Sequence, residues 1–201
     1  MIGIIDYGLG NIRAFVEVYK YLGIPTIIAK NPADIKKAKK LILPGVGSFD
    51  YAIKLLENSG MLPQIHQSVL QEKIPILGVC VGMQMLCETS EEGKLKGLGW
   101  VDAHVKAFDI DKNRPVPHMG WNDVEAVGLT AIFGKAGILG QFYFLHSYFV
   151  ECEDQTNIIA TMNYGGSFVC GLKKDNIYGF QFHPEKSHSS GVQLLNNFAR
   201  L

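Results

Sequence analysis

The chain has 201 residues, of which 47% are hydrophobic and 19% charged, and its 19 basic and 19 acidic residues leave a formal net charge of zero. That is an ordinary globular composition, with enough chain to bury a large core. The charge balance argues against nucleic acid or an anionic membrane as the main partner. No apolar run approaches the roughly 18–20 residues of a membrane span, and the opening "MIGIIDYG" lacks the basic flank of a signal peptide. The four cysteines, Cys80, Cys87, Cys152 and Cys170, show no C-x-x-C spacing and no small-domain disulfide framework. Free thiols in a reducing cytoplasm are expected.

In chain order, "MIGIID" reads as a short strand broken by "YGLG". "NIRAFVEVYKYLG" then places Ile12, Phe15, Val16, Tyr19 and Leu22 at helical spacing, with Asn11 as N-cap and Gly23 just past the end. "IPTIIA" is a second strand, and "NPADIKKAK" opens a helix with a capping Asn31 and Pro32 at its first position. The basic stretch Lys30 to Lys40 reads as the solvated face of that helix. "KLILP" is a third strand closed by "GVG". Helices are expected around Phe49–Asn58 and Leu62–Glu72, a strand over Pro75–Val79 and a helix over Val81–Cys87. This alternation predicts a mostly parallel sheet flanked by helices, with ligands beyond the carboxyl ends of the strands.

The second half changes character. "GWVDAHVKAFD", "PHMGWNDVEAV", "QFYFLHSYFVE", "NIIATMNY", "SFVCGLKK" and "IYGFQF" read as strands joined by turns, and one helix closes the chain on Val192, Leu195, Phe198 and Ala199. The expected fold is α/β: a mostly parallel central sheet flanked by helices, with an antiparallel extension in the C-terminal half. Residues 1–201 read as one domain.

Chemistry concentrates at "PILGVCVGMQML", where Cys80 stands between Gly78 and Gly82 at a strand-to-helix junction. This is the G-x-nucleophile-x-G elbow with Cys in place of Ser. A sharp turn there forces a sparsely allowed backbone, glycines leave room for it, and the sulfur projects at a helix start that favours thiolate. Taken alone, the motif fits a buried cysteine in a glycine turn equally well. "GFQFHPEKSH" supplies the second half of a site: His183 and Glu185 are two residues apart just past an apolar strand, so in extended chain they point the same way. A nucleophile needs such a base, and the base an orienting group. The backbone N–H of Val81 is a candidate oxyanion donor, and the glycine loop at Gly45 and Val46 offers a second. No G-K-[ST] follows that loop, and "DYGLGN" is not a complete G-x-G-x-x-G, so neither a nucleotide nor a dinucleotide cofactor is implied. His118 and His146 lack a second ligand pair of suitable spacing, so no metal is expected.

Together, "PILGVCVGMQML", "FQFHPEKS" and "LPGVG" resemble the class I (triad) glutamine amidotransferase family over essentially the whole chain. "MIGIIDYGLGNI", "LPGVGSFDYA", "SEEGKLKGLGW", "PHMGWN" and "FLHSYF" further resemble the HisH family, the glutaminase subunits of imidazole glycerol phosphate synthase. The resemblance implies hydrolysis of L-glutamine by Cys80, His183 and Glu185, with Gly45, Val46 and Val81 at the oxyanion and no cofactor. It places Gln84 and Glu92 at the glutamine's α-carboxylate and α-amino ends, and the backbone of Ser147 and Tyr148 along the same pocket. Read only as residues, Gln84 is also compatible with a solvent-facing helix position and Glu92 with a loop charge. The implied partner is a (β/α)8-barrel cyclase forming a heterodimer, which takes ammonia to make imidazole glycerol phosphate and aminoimidazole carboxamide ribotide in histidine biosynthesis. Asn11, Met119, Trp121 and Asn122 are the candidate interface, although Trp121 also fits a core position of the kind expected for Trp100. Departures such as Val81 and "HMGWNDV" leave open a paralogue that supplies ammonia to a surface-polysaccharide or nonulosonate sugar precursor.

Overall fold

The computed structural model describes residues 1–109, 115–134 and 136–201. The first half follows the predicted alternation: β1 (Ile2–Ile5), α1 (Ile12–Tyr21), β2 (Thr26–Ala29), α2 (Pro32–Lys37), β3 (Lys40–Gly45), α3 (Phe49–Asn58), α4 (Leu62–His66), β4 (Ile76–Cys80) and α5 (Val81–Met85). Two ends are set as the sequence suggests. Gly23, at φ +69°, closes α1 with Gly23 N–H on Lys20 O and Ile24 N–H on Tyr19 O, the double bond of a Schellman stop. Asn31 caps α2 through Oδ1 on the Asp34 N–H at 3.1 Å. Asn11 precedes α1 but its side chain makes no cap. The helix expected over Leu62–Glu72 ends as α at His66 and continues as a π turn, Gln67–Gln71.

The helix after Cys80 is shorter than Val81–Cys87. The segment 98–101 crosses its end, and N–H groups of Leu98, Gly99, Trp100 and Val101 take the carbonyls of Met85, Cys87 and Leu86. Those carbonyls are satisfied without further helical turns.

The second half adds β5 (Thr89–Ser90), β6 (Ala103–Ala107), β7 (His118–Ala126), β8 (Gly137–His146), β9 (Tyr148–Cys152), β10 (Ile158–Asn163), β11 (Ser167–Lys174), β12 (Ile177–Phe180) and α6 (His188–Arg200). The run 141–151, read as one strand, is two. It breaks at Ser147, where β8 leaves its partner β7 and β9 takes up β6. All strands join one sheet, whose main path is β2-β1-β3-β4-β12-β11-β10-β7-β8. Along that path pairing is parallel from β2 to β12 and antiparallel beyond. The chain reverses its direction across the sheet after β2, which sends α1 and α2 to opposite faces. Accordingly α1 packs with α6, and α2 with α4. In α6 the buried stripe is Gly191, Leu194, Leu195 and Phe198, with Val192 and Ala199 at its margins. Among the described residues no helix is long and apolar enough to cross a membrane.

Candidate active site

The site lies at the seam between β4 and β12, at the carboxyl ends of both strands. Cys80 is the last residue of β4 and has φ +55° and ψ −116°, a conformation that non-glycine residues rarely adopt. The flanking glycines explain how this strained turn is accommodated. A Cβ on Gly78 would lie 2.6 Å from the Gly82 carbonyl oxygen, and one on Gly82 would lie 2.0 Å from the Leu43 carbonyl oxygen. Gly45, opposite Cys80 on β3, approaches as closely: its Cβ would meet the Gly82 nitrogen at 2.3 Å. Backbone therefore packs directly on backbone from three sides of the elbow.

Register delivers the partners. Val79 pairs with Phe180, so the next residue of the second strand, Gln181, comes beside Cys80. Its Nε2 lies 3.8 Å from Cys80 Sγ, and its Oε1 accepts from Gln84 Nε2 at 3.0 Å. Gln181 is fully buried and was not singled out from the sequence. The available signal was a polar residue at the end of an apolar strand, two before His183 and so on the same side. His183 is 2% exposed. Its Nδ1 is 3.0 Å from Glu185 Oε1, which leaves the other ring nitrogen for the hydrogen bond with Cys80. Burial alone would lower the imidazole pKa, but the hydrogen bonds and charges of Cys80 and Glu185 outweigh it and raise the value to about 9. The backbone of His183 is stapled to β8: its N–H donates to Tyr143 O at 2.8 Å, while Ser187 Oγ donates to His183 O and accepts from Tyr143 N–H.

A cavity of about 310 Å³ opens over the sulfur, lined by Val46, Gly47, Cys80, Val81, Gln84, Glu92, Pro117, Leu145, His146, Ser147, Tyr148, His183 and Lys186. The structure thus gathers Cys80, His183 and Glu185 with Val46, Val81, Gln84, Glu92, Ser147 and Tyr148. Gly45 is not on the cavity wall. Gln84 is buried rather than solvent-facing. Glu92 accepts from the Phe49 N–H at 2.8 Å, which anchors it to the start of α3. The anchoring is mutual, since Asp50 of α3 accepts from the N–H groups of Lys94 and Leu95.

The other sulfhydryls differ. Cys87 is fully buried with its thiol on Met83 O, and burial pushes the thiols of Cys87 and Cys170 upward and that of Cys152 to about 11. Trp100 is buried with Nε1 on His66 Nε2, as expected, whereas Trp121 and Met119 are exposed. His118 and His146 hydrogen-bond each other at 3.0 Å, so one ring nitrogen of each is already engaged. One group of described residues, Glu88, Asp102 and His104, brings ligand-type atoms within 4.8 Å of one another. None of the three lines the cavity.

Residues 3–201 match the glutamine amidotransferase class-I family. Across the full length of both chains, the protein is 48% identical to the imidazole glycerol phosphate synthase subunit HisH of Leptospira borgpetersenii and to that of Bdellovibrio bacteriovorus. It is 43% identical, again over both full lengths, to subunit HisH 2 of Pseudomonas aeruginosa. Among solved structures it resembles a glutamine amidotransferase (TM-score 0.74, 19% identity, covering 100% of this chain and 99% of the other) and PurLQS from Thermotoga maritima (TM-score 0.72, 16% identity, covering 99% and 97%). The chain belongs to the class I glutamine amidotransferase family and, within it, to the HisH subunits of imidazole glycerol phosphate synthase.

Proposed function

We propose that the chain is the glutaminase subunit of an imidazole glycerol phosphate synthase, hydrolysing glutamine at Cys80 and passing the ammonia to a (β/α)8-barrel cyclase. The observation that carries this reading is the strained Cys80 beside the His183–Glu185 pair at a cavity of about 310 Å³.

The sulfur attacks the side-chain amide carbon, and Val81 with the Val46 segment stabilises the oxyanion. His183 takes the Cys80 proton as the sulfur attacks and gives it to the departing nitrogen, so ammonia leaves and a thioester remains. His183 then takes a proton from water as the water attacks the thioester and passes it to the leaving sulfur, releasing glutamate and restoring the thiol. Glu185 holds the imidazole and stabilises its charged form. Gln84 and Glu92 take the α-carboxylate and α-amino ends of the substrate, with the Ser147 and Tyr148 backbone along its side.

Free ammonia is mostly protonated at neutral pH, and ammonium is not a nucleophile, so delivery needs a shielded path into a second protein. The β7–β8 register supports a docking face for that partner. Met119 pairs with Leu145 and Trp121 with Tyr143, so these side chains share one surface of the sheet. Met119 is 63% exposed, Trp121 44% and Leu145 40%, and Leu145 also lines the cavity. An apolar patch continuous with the cavity mouth suits a docked subunit that receives a small molecule. Asn11 completes the proposed docking face, whereas Asn122 points to the other side of β7, where its amide meets the Asn163 carbonyl and His118. A Cys80→Ala chain should release no glutamate yet bind the barrel subunit as the wild type does; glutamate turnover in that variant would sink the reading.

Some relatives carry numbered names, among them HisH 2 of P. aeruginosa and HisH 1 of Campylobacter jejuni. A numbered copy of this kind can serve a surface-polysaccharide or nonulosonate sugar precursor with the same glutaminase chemistry. Ammonia-transfer assays with the native partner and either acceptor separate the two.

A further inference from the structure

Behind the Ser147–Tyr148 wall lies a buried polar chain that the triad does not use. His146 Nδ1 is 2.7 Å from the Tyr148 carbonyl oxygen. A carbonyl only accepts, so this nitrogen carries the proton, and Nε2 of the neutral ring is an acceptor. His118 Nδ1 lies 3.0 Å from that Nε2 and therefore donates to it. His118 Nε2 is left as an acceptor, and Asn122 Nδ2 approaches it at 3.3 Å while donating to the Asn163 carbonyl at 2.8 Å. Every bond in the series runs in one direction, from Asn122 through two imidazoles to Tyr148. His118 is 4% and His146 6% exposed, and His118 is packed between the rings of Tyr164 and Phe144. Burial pulls their pKa values to about 4 and about 3, so both rings are neutral, as the series requires.

A core histidine needs only one satisfied nitrogen and packing. Here both rings are held in the Nδ1–H tautomer, the minor one for free histidine in water, and the series ends on a backbone carbonyl of the pocket wall. We propose that His118 and His146 are positioning residues for glutamine: their hydrogen-bond relay fixes the Tyr148 carbonyl, and so holds the Tyr148 backbone of the pocket wall in the orientation that receives the substrate. This rests on the glutaminase reading.

The test uses the full chain and two reagents for Cys80: iodoacetamide, which needs no pocket recognition, and a diazoketone analogue of glutamine, which must first bind. Alkylation is followed by mass spectrometry. His146→Phe and His118→Phe keep ring volume but remove the donors, and the saturation constant for the analogue should rise about tenfold, the worth of a hydrogen bond of ordinary strength. The iodoacetamide rate should stay unchanged. His118→Asn restores a donor at the Nδ1 position and should return the constant to within about threefold of wild type. Wild-type saturation in both Phe variants, or His118→Asn as weak as His118→Phe, overturns the proposal. Should the Phe variants fail to fold, long-range ¹H–¹⁵N spectra of the wild type decide: Nδ1–H signals on both rings support the relay, and an Nε2–H signal on either overturns it. Failure of the wild type itself to saturate with the analogue would instead bring down the glutaminase reading, whatever the tautomers show.

Discussion

Cys80 and His183 face each other across neighbouring parallel strands, but the chain holds them by different means. On the Cys80 side the constraint is steric and made of backbone. Three glycines, Gly45, Gly78 and Gly82, let main chain touch main chain, while the contacts of Gln181 Nε2 and the Leu145 carbonyl with the sulfur are long, at 3.8 and 3.9 Å. On the His183 side the constraint is polar and made of side chains: Glu185 on the imidazole, Ser187 and Tyr143 on its backbone, and the Gln84–Gln181 link beneath. The nucleophile sits in a strained turn and needs rigidity, which close backbone packing supplies. The base must change charge during turnover, so it needs partners that answer each charge state.

The sharpest way to break this contrast is Gly82→Ala. The added Cβ would press on the Leu43 carbonyl, part of a central strand that cannot give way. A cost of about 3 kcal/mol or more is expected, which for a chain of this size lowers Tm by about 10 °C. A wild-type Tm by calorimetry would show that the elbow is not sterically locked.

Glu185→Gln tests the other side, where chemistry should suffer before stability does. An amide nitrogen set against Nδ1 demands the wrong tautomer, and kcat should fall by roughly 10³–10⁴. The pH dependence of stability gives a second reading. The His183 pKa lies above its ordinary 6.5, at about 9, so its contribution is fully present below pH 6.5 and is lost as pH rises through 9. Without the carboxylate the raised value falls back, and the difference in urea midpoint between pH 6 and pH 9 should shrink. An unchanged difference would assign the raised value to Cys80 alone.

What could be read from the sequence follows the same division. The glycine spacing around Cys80 and the two-residue step from His183 to Glu185 are local patterns, and each constrains geometry by itself. The β-α alternation of the first half is likewise a local signal, and its elements lie where periodicity puts them, apart from the shortened end of α5 and the π turn over Gln67–Gln71 that follows α4. The polar partners were not legible because they depend on register. Gln181 reaches Cys80 only because β12 pairs with β4 in the observed alignment, and His118 meets His146 only through the β7–β8 ladder. The split at Ser147 was hidden for the same reason: the run 141–151 is uniformly strand-like, and its change of partner is a tertiary event. Glu92 could be named as a pocket residue, but not its anchor on the Phe49 N–H, forty-three positions away.

Gln181→Met sharpens the polar side with a smaller effect. It leaves the buried Gln84 amide without its acceptor, at a cost of about 1–3 kcal/mol. The double variant with Gln84→Met removes both polar ends and should recover part of that stability, measured by urea unfolding. Glutamine turnover should fall about tenfold in the single variant, a loss equivalent to one hydrogen bond. Additive destabilisation in the double variant would show that the two amides do not act as a unit.

The smallest effect belongs to a side-chain hydrogen bond placed in the steric half, away from the site. Asn31 caps α2 through Oδ1 on the Asp34 N–H, and its Nδ2 donates back to Asp34 Oδ2 at 2.8 Å. These contacts are exposed, so water replaces them at little cost. Asn31→Ala should cost about 1 kcal/mol, a Tm shift of about 3 °C. Because α2 touches neither the elbow nor the cavity wall, kcat and KM for glutamine should both be unchanged. A fall in kcat would mean that a polar contact on the parallel side reaches Cys80. The division between a sterically held nucleophile and a hydrogen-bonded base would then not hold.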